Sequence, residues 1–272
     1  MLGNEPTLTS RSSDRVVAVR RLHTRKGRRD AGLFLVEGPQ AVRESVASGL
    51  LLEVFVTDGL ALEPSELAEL FTNVAVTYVS ESVMEAMGET RAPQGIVGIC
   101  RWEPAALAAA IPAGGPASVL LDGVSDPGNA GTIIRTADAA GAAGVVLTPG
   151  SVDPTNGKCV RASAGSIFHL PIATDVSLTA LSAAIDPSRM LFAVASGDAA
   201  LDVFDWLGSV PSHQSICWVF GAEAPGVSQE ARDLADVQVR IPLYGRAESL
   251  NVAAAAAVCL YADAARLHGK LR

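Results

Sequence analysis

The chain contains no uninterrupted apolar run near the roughly 18 residues that a membrane-spanning helix requires. Its opening stretch, Met1 to Ser13, is polar and has no apolar core of a secretory leader. The expectation is a cytoplasmic protein with no membrane partner. Cysteine is scarce: Cys100, Cys159, Cys217 and Cys259 stand far apart, with no Cys-x-x-Cys pair and no histidine at metal-ligand spacing. They read as small buried hydrophobes in a reducing compartment, and no metal is expected. His23, His169, His213 and His268 are scattered. Two phosphate-binding signatures are absent: no G-x-G-x-x-G follows a strand, and there is no G-x-x-x-x-G-K-[ST].

What is present is a chain of 272 residues, 49% hydrophobic and 18% charged, with a mean hydropathy of +0.30. That composition excludes a disordered chain, and the length allows one or two packed domains. Net charge is -8, yet residues 11–29 hold eight basic side chains against one acid, Asp14. A basic segment on an acidic protein can hold a polyanion at one place without general stickiness, or it can be a solvated helix face. Aromatic residues make up 5% of the chain and are too sparse near that segment for a base-stacking platform.

Apolar runs and turn residues predict two successive α/β alternations. In the first, residues 14–29 read as one charged helix, followed by strands near 32–38, 52–57, 74–79 and 95–100. Helices are expected over 40–48 after Gly38-Pro39, over 64–71, and over 81–87 behind an N-cap at Ser80. The Ala/Pro/Gly-rich stretch 104–116 reads as a linker or inter-domain helix. The second alternation places strands at 118–121, 144–147, 191–195, 216–220 and 237–241. Its helices are expected at 129–140, 158–165, 228–234 and 250–267. Strands alternating with helices imply a mostly parallel sheet covered on both faces. The domains are thus expected at 1–103 and 117–272, joined by 104–116.

Three loops share one design: an apolar run, a Gly/Pro-rich bend, then a polar residue at the mouth of a helix or strand. The first is Asp126-Pro127-Gly128-Asn129-Ala130-Gly131, running on to Arg135-Thr136-Ala137, with Asn129 read as an N-cap. In the second, Phe220-Gly221-Ala222-Glu223-Ala224-Pro225-Gly226, the missing side chain of Gly221 would let a ligand reach the backbone. The third joins Ile241-Pro242-Leu243 to Glu248-Ser249-Leu250-Asn251-Val252; Ser249 is read as the N-cap of the last helix and Asn251 as part of its first turn. Each loop alone is explained by helix caps and strand ends. Together they describe a polar site at the carboxyl edge of a parallel sheet, where ligands of such folds bind. With no metal cluster and no strong nucleophile, transfer of an already activated group to a hydroxyl fits this residue set.

Order and spacing of the three motifs resemble the SpoU (TrmH-like) branch of the SPOUT RNA methyltransferases, over residues 118–268. Arg161-Ala162-Ser163-Ala164-Gly165 to Leu170-Pro171 is similar to a further family segment. Phe34-Leu35-Val36-Glu37-Gly38 and Gln94-Gly95-Ile96-Val97 resemble the L30-like substrate-binding domain that often precedes it. The resemblance implies an α/β SPOUT domain with a deep trefoil knot behind a smaller L30-like α/β domain, and a homodimer that shares its catalytic site between subunits. It implies S-adenosylmethionine as methyl donor and a ribose 2′-hydroxyl of structured RNA as acceptor, 23S ribosomal RNA being favoured over tRNA. The alternatives are a tRNA 2′-O-methyltransferase and a non-catalytic RNA-binding or ribosome-assembly protein.

By the same resemblance, Gly221, Ile241 and Leu250 would hold the cofactor, with Ala195, Ser196 and Gly197 as further candidates. Arg135 matches the family's catalytic arginine. Because a guanidinium has a pKa above about 12, it is a poor base, and the physical reading is that Arg135 holds the neighbouring phosphate and steadies the developing alkoxide. Asn129, Glu223, Ser249 and Asn251 would shape the catalytic pocket. Arg20, Arg21, Arg25, Lys26, Arg28 and Arg29 would grip RNA phosphates.

Overall fold

The computed structural model describes residues 6–58, 60, 66, 69–90, 92–112, 114–222 and 226–270. The chain divides into two units, Met1–Glu103 together with Pro154–Phe168, and Pro104–Asp153 together with His169–Arg272.

In the first unit, strands β1 (Leu33–Glu37), β2 (Leu51–Val56), β3 (Ala75–Tyr78) and β4 (Ile96–Arg101) form one sheet in the order β1-β4-β2-β3. β4 runs antiparallel to both β1 and β2, and β3 runs parallel to β2. The basic segment is two helices, not the single one expected: α1 (Asp14–Arg21) and α2 (Arg25–Ala31). The break has a local cause. Thr24 caps the second helix, accepting at Oγ1 from Gly27 N (3.0 Å). Gly27 is needed there, because a Cβ would stand 1.9 Å from the Arg21 carbonyl oxygen. α3 (Pro39–Ala47) starts on Pro39 behind Gly38, and α4 (Glu81–Met87) is capped by Ser80, both as the sequence predicts. Half of the helix expected over 64–71 (residues 64, 65, 67 and 68) lies outside the described residues. Val16, Val19, Leu35, Phe55, Val83, Met84 and Val97 form the core of this unit.

The second unit begins earlier than expected. The stretch read as a linker or inter-domain helix carries α5 (Leu107–Ala110), donates Ala105 N to Ile172 O (2.8 Å), and sinks Ala110 and Ile111 into the core. Then follow β5 (Ser118–Asp122), α6 (Pro127–Ala139) and β6 (Gly144–Leu147). The next helix, α7 (Gly157–Ser163), belongs by its contacts with the first unit, although its sequence position placed it in the second domain. There Arg161 Nη1 donates to Glu37 Oε1 (3.0 Å), which also accepts from Glu89 N (2.9 Å). The second unit resumes with β7 (Ile172–Ala173), α8 (Leu178–Ala184), β8 (Met190–Ala195), β9 (Leu201–Asp202), α9 (Val203–Ser209) and β10 (Ser215–Gly221). It ends with α10 (Gln229–Asp233), β11 (Val237–Arg240) and α11 (Val252–Leu267).

Its seven strands lie in the order β7-β6-β5-β10-β8-β11-β9, every neighbouring pair parallel. Residues of central β10 are buried without exception, as a strand covered on both faces requires. Alternate β10 side chains face opposite layers. Cys217 and Val219 join Leu178 and Leu181 of α8 and Ala231 of α10, whereas Trp218 packs edge-on against Trp206 of α9 and reaches α11.

α11 is pinned by a buried network. Asp263, with no exposed surface, accepts from Trp218 Nε1 (3.2 Å) and from Arg266 Nε (2.8 Å). Arg266 also donates to the carbonyls of Pro211 (2.8 Å) and Gln214 (3.2 Å). Burial pushes the Asp263 carboxyl up from its ordinary value, against the pull of Arg266 and Trp218. The network ties down the C-terminal part of α11, and the other end of the helix, at Val252 and Ala255, lines the site.

Candidate functional site

Strands β10, β8 and β11 are consecutive in the sheet and parallel, with Val219 opposite Val194 and Ala195 opposite Val239. Their carboxyl ends therefore open side by side, and the turns that leave them share one mouth. A cavity of about 760 Å³ lies there. Its walls are Ala195–Asp198, Phe220–Ala222, Gly226–Val227, Arg240–Leu243 and Glu248–Val252, with Arg232 and Ala255. All six residues expected to hold a cofactor, Ala195, Ser196, Gly197, Gly221, Ile241 and Leu250, line this one cavity.

The wall around Gly221 is built by the chain's own return. A Cβ on Gly221 would stand 2.2 Å from Val227 N and 2.4 Å from Gly226 O. The missing side chain thus makes room for the chain's own loop, and Gly221 at the same time lines the cavity. The residues between, Glu223 among them, lie outside those described. Asp122, opposite Gly221 at the end of β5, accepts from Ser228 N (2.7 Å) and so fixes the point where that loop enters α10. Asp122 was missed as a site residue; its only signal in the sequence is an acid closing an apolar strand.

The third wall runs into α11. Its N-cap is Asn251, not Ser249: Oδ1 of Asn251 accepts from Ala253 N (2.9 Å) and Ala254 N (3.4 Å). Ser249 is exposed on the cavity wall. The amide of Asn251 donates across to Asn129 Oδ1 (3.1 Å). Asn129 is likewise not the cap of its helix; that role falls to Asp126, whose carboxylate accepts from Asn129 N (2.8 Å), with Pro127 at the first helical position. α6 and α11 pack together, helped by small residues such as Ala130, Gly131, Ala253 and Ala256, all buried. Two helix N-termini, each with a positive dipole end, therefore meet beside the cavity.

Neither Asn129 nor Arg135 lines the cavity. Arg135 is exposed on α6, about 9 Å along the axis from Asn129. Among the described residues no hydrogen bond or ion pair engages its guanidinium, so the charge is open to an incoming anion. In the cavity wall, sequence reading missed Asp198 and Arg232, whose bond spans segments far apart in the chain (3.3 Å). The Ser196 hydroxyl, and then Arg232, hold the Asp198 carboxyl below its ordinary value.

In the first unit Arg20, Arg21, Arg25, Lys26 and Arg29 are exposed. Arg28 is not on that surface. It is 5% exposed, and its guanidinium donates to Leu22 O (3.0 Å), His23 O (3.1 Å) and Thr155 Oγ1 (3.1 Å). It closes the turn between α1 and α2 and cannot also meet RNA. All four cysteines are buried; burial pushes Cys100 and Cys217 each up to about 12, and Cys259 further still. No described helix is long and apolar enough to cross a membrane, and among the described residues no group of three or more His, Cys, Asp or Glu is placed to hold a metal.

Residues 116–261 match the family model of the SpoU rRNA Methylase family, and residues 13–98 match an MRM3-like substrate binding domain. The chain is 36% identical, over 93% of its length and 97% of the relative's, to the 23S rRNA (guanosine(2553)-2'-O)-methyltransferase RlmP of Bacillus subtilis (strain 168). It is 33% identical to the 23S rRNA (uridine(2479)-2'-O)-methyltransferase of Streptomyces viridochromogenes, over 88% of the chain and 85% of the relative. Among solved structures, the AdoMet-bound rRNA methyltransferase from Sinorhizobium meliloti superposes with a TM-score of 0.84 at 29% identity, covering 95% of this chain and 97% of that one. The SpoU methyltransferase AviRb from Streptomyces viridochromogenes, in complex with AdoMet, gives 0.81 at 29% identity, covering 96% and 100%.

Proposed function

The chain belongs to the SpoU rRNA methylase family, and from that membership we propose that it transfers the methyl group of S-adenosylmethionine to a ribose 2′-hydroxyl of 23S ribosomal RNA. The observation that carries the site assignment is the cavity at the ends of β8, β10 and β11, which gathers residues 195–198, 220–222, 226–227, 240–243 and 248–252. Its volume, about 760 Å³, falls in the range of roughly 300–1,000 Å³ typical of small-molecule sites. Backbone-rich walls at Ala195–Gly197, Gly221 and Ile241 suit a purine and a ribose. A Cβ on Gly197 would meet nothing within 4 Å, so the wall there is open to a ligand.

The donor supplies an electrophilic methyl group on a positively charged sulfur. The acceptor oxygen must approach in line, the new O–C bond forming as the C–S bond breaks and the hydroxyl proton leaving to water or a neighbouring group. Positioning therefore contributes much of the rate. Arg135 binds the phosphate beside the target ribose and steadies charge that develops on the 2′-oxygen. Asn251 links the donor cavity to α6, the helix that carries Arg135, by its bond to Asn129. Ser249, exposed on the cavity wall, would complete the pocket on the ribose side; Glu223, the other residue expected there, lies outside the described residues.

Within one chain Arg135 does not line the cavity. This supports a homodimer in which the arginine of one subunit serves the donor pocket of the other. A trefoil knot, with α11 passing through a preceding loop, belongs to the same proposal. In the first unit, exposed Arg20, Arg21, Arg25, Lys26 and Arg29 would hold the ribosomal RNA through its phosphates, giving affinity that falls with salt. Ribosomal RNA is favoured over tRNA because the matched relatives, covered over nearly their whole length, act on 23S rRNA.

The test is transfer of a tritium-labelled methyl group from S-adenosylmethionine to purified 23S rRNA and, separately, to bulk tRNA. Incorporation into rRNA that resists alkali supports the reading, since a 2′-O-methyl group blocks hydrolysis at its linkage. Incorporation into tRNA alone would move the substrate. Donor binding with no incorporation into either would leave an RNA-binding protein.

A further inference from the structure

Part of the cavity wall is tied together by one side chain. Arg232, on α10, donates from Nη1 to Asp198 Oδ1 (3.3 Å) and to Gln238 Oε1 (3.0 Å), and from Nε to the carbonyl of Val227 (3.4 Å). These three partners stand on three segments: the turn after β8, the loop that returns past Gly221, and strand β11. Two of them, Asp198 and Val227, line the cavity together with Arg232 itself. The turn after β8 is braced from within as well. Ser196 N donates to Val239 O (2.9 Å), and the Ser196 hydroxyl donates to the Asp198 carboxylate.

Exposure separates the two ends of this arrangement. The Arg232 side chain is 23% exposed and that of Asp198 is 74% exposed. An ion pair so open to water adds little to global stability. Its effect is local: it ties two loops to β11, and loops ordered before binding lose less entropy when a ligand arrives. The depressed Asp198 carboxyl is charged at neutral pH, so the bond to Arg232 is charge-assisted under ordinary conditions.

We propose that Arg232 is a positioning residue of the methyl-donor pocket. It latches the 196–198 turn to the 226–228 loop and to β11, and thereby sets the affinity for S-adenosylmethionine without contacting the ribose that receives the methyl group. The inference rests on the reading of this cavity as the donor site. It adds a residue outside all three sequence motifs, on the helix that follows the second.

Calorimetric titration of the full chain with S-adenosylmethionine, paired with steady-state methylation of 23S rRNA, tests it. Wild type must bind the donor; no binding by wild type would overturn the donor-site reading itself, and the latch with it. Given wild-type binding, Arg232→Met is expected to weaken it about 10-fold. The KM for the donor should rise by a similar factor and kcat fall less than about 3-fold, a split that general destabilisation does not produce. Arg232→Lys keeps the charge but not the three-way fork, so it should recover only part of the loss. Asp198→Asn should weaken binding about 3-fold, and the double variant should be no weaker than Arg232→Met, because one acts through the other. Donor affinity of Arg232→Met equal to wild type would overturn the proposal. If that variant does not fold, Asp198→Asn and Gln238→Leu each remove one contact and leave the arginine in place; wild-type affinity in both would overturn it equally.

Discussion

Asn251 donates its side-chain amide to Asn129 Oδ1 across 3.1 Å, while its own Oδ1 accepts from Ala253 N at 2.9 Å. One side chain thus caps the helix whose N-terminal end lines the cavity and ties that cap to the helix carrying Arg135. The two duties can be separated. Asn251→Asp keeps the capping oxygen and loses the donor; its melting temperature should stay within about 2 °C of wild type while turnover falls about 10-fold. Asn251→Ala loses both, adding about 1 kcal/mol of destabilisation from the missing cap. Thermal melts and single-turnover methylation distinguish these outcomes. Equal turnover for Asn251→Asp and wild type would reduce the bond to a structural detail.

Arg135→Ala removes the exposed guanidinium of α6 and no contact within the described residues. Turnover should drop on the order of 100-fold or more, as when a charge-stabilising donor is lost from an active site. Donor affinity by calorimetry should change less than about 2-fold, because Arg135 does not line the cavity. A large loss of donor affinity would place Arg135 in the binding pocket instead.

The basic segment contains two kinds of arginine. Reversing charge at Arg25, Lys26 and Arg29, all exposed, should weaken rRNA binding and flatten its dependence on salt while leaving the fold intact. Arg28→Ala should instead lower the melting temperature, since it takes the buried guanidinium away from the Leu22 and His23 carbonyls and removes its bond to Thr155. Binding assays at several salt concentrations, read beside thermal melts, check both halves.

Buried Asp263 and Arg266 predict an asymmetric mutational response. Asp263→Ala strands a buried guanidinium and the Trp218 indole, and should destabilise by about 3–5 kcal/mol. Replacing both by apolar residues of similar volume should cost much less. Denaturant titration of the single and double variants measures the difference.

The thiols carry a pH signature. Cys217, with its pKa pushed up to about 12 by burial, stays protonated in the folded chain where an unfolded thiol ionises at about 8.5. The raised folded value means its contribution to stability is whole below about pH 8.5 and is lost as pH rises toward the folded value. The native protein should react slowly with a thiol reagent between about pH 7 and 9, at a rate set by opening, and lose stability above that range. Prompt labelling of the folded protein would contradict the burial.

Much of the frame was legible in the sequence because it depends on local pattern. The long apolar runs at β5, β8 and β10 are strands wherever they pack, and Gly38-Pro39 announces α3 by chemistry confined to a few residues. Errors arose where two residues compete for one role. Asp126 and Asn129 are both good caps, and Pro127 at the first helical position decides for Asp126. Ser249 and Asn251 compete in the same way, and the oxygen nearer Val252 wins. The strands Ile172–Ala173 and Leu201–Asp202 are too short to show a period, and the neighbouring helices α8 and α9 passed unread with them. Arg28 looks like its neighbours in sequence; only the fold turns it inward. The Asp198–Arg232 latch joins residues 34 apart and has no local signature at all.

The central claim is methylation of a ribose 2′-hydroxyl in 23S rRNA, and mapping of 2′-O-methyl positions tests it most directly. Unmodified 23S rRNA would be incubated with S-adenosylmethionine and either wild-type protein or Arg135→Ala, then read by primer extension at limiting nucleotide concentration. The account predicts one new stop with wild type, absent or greatly reduced with the variant. An unchanged stop pattern with wild-type protein that binds the methyl donor would contradict it.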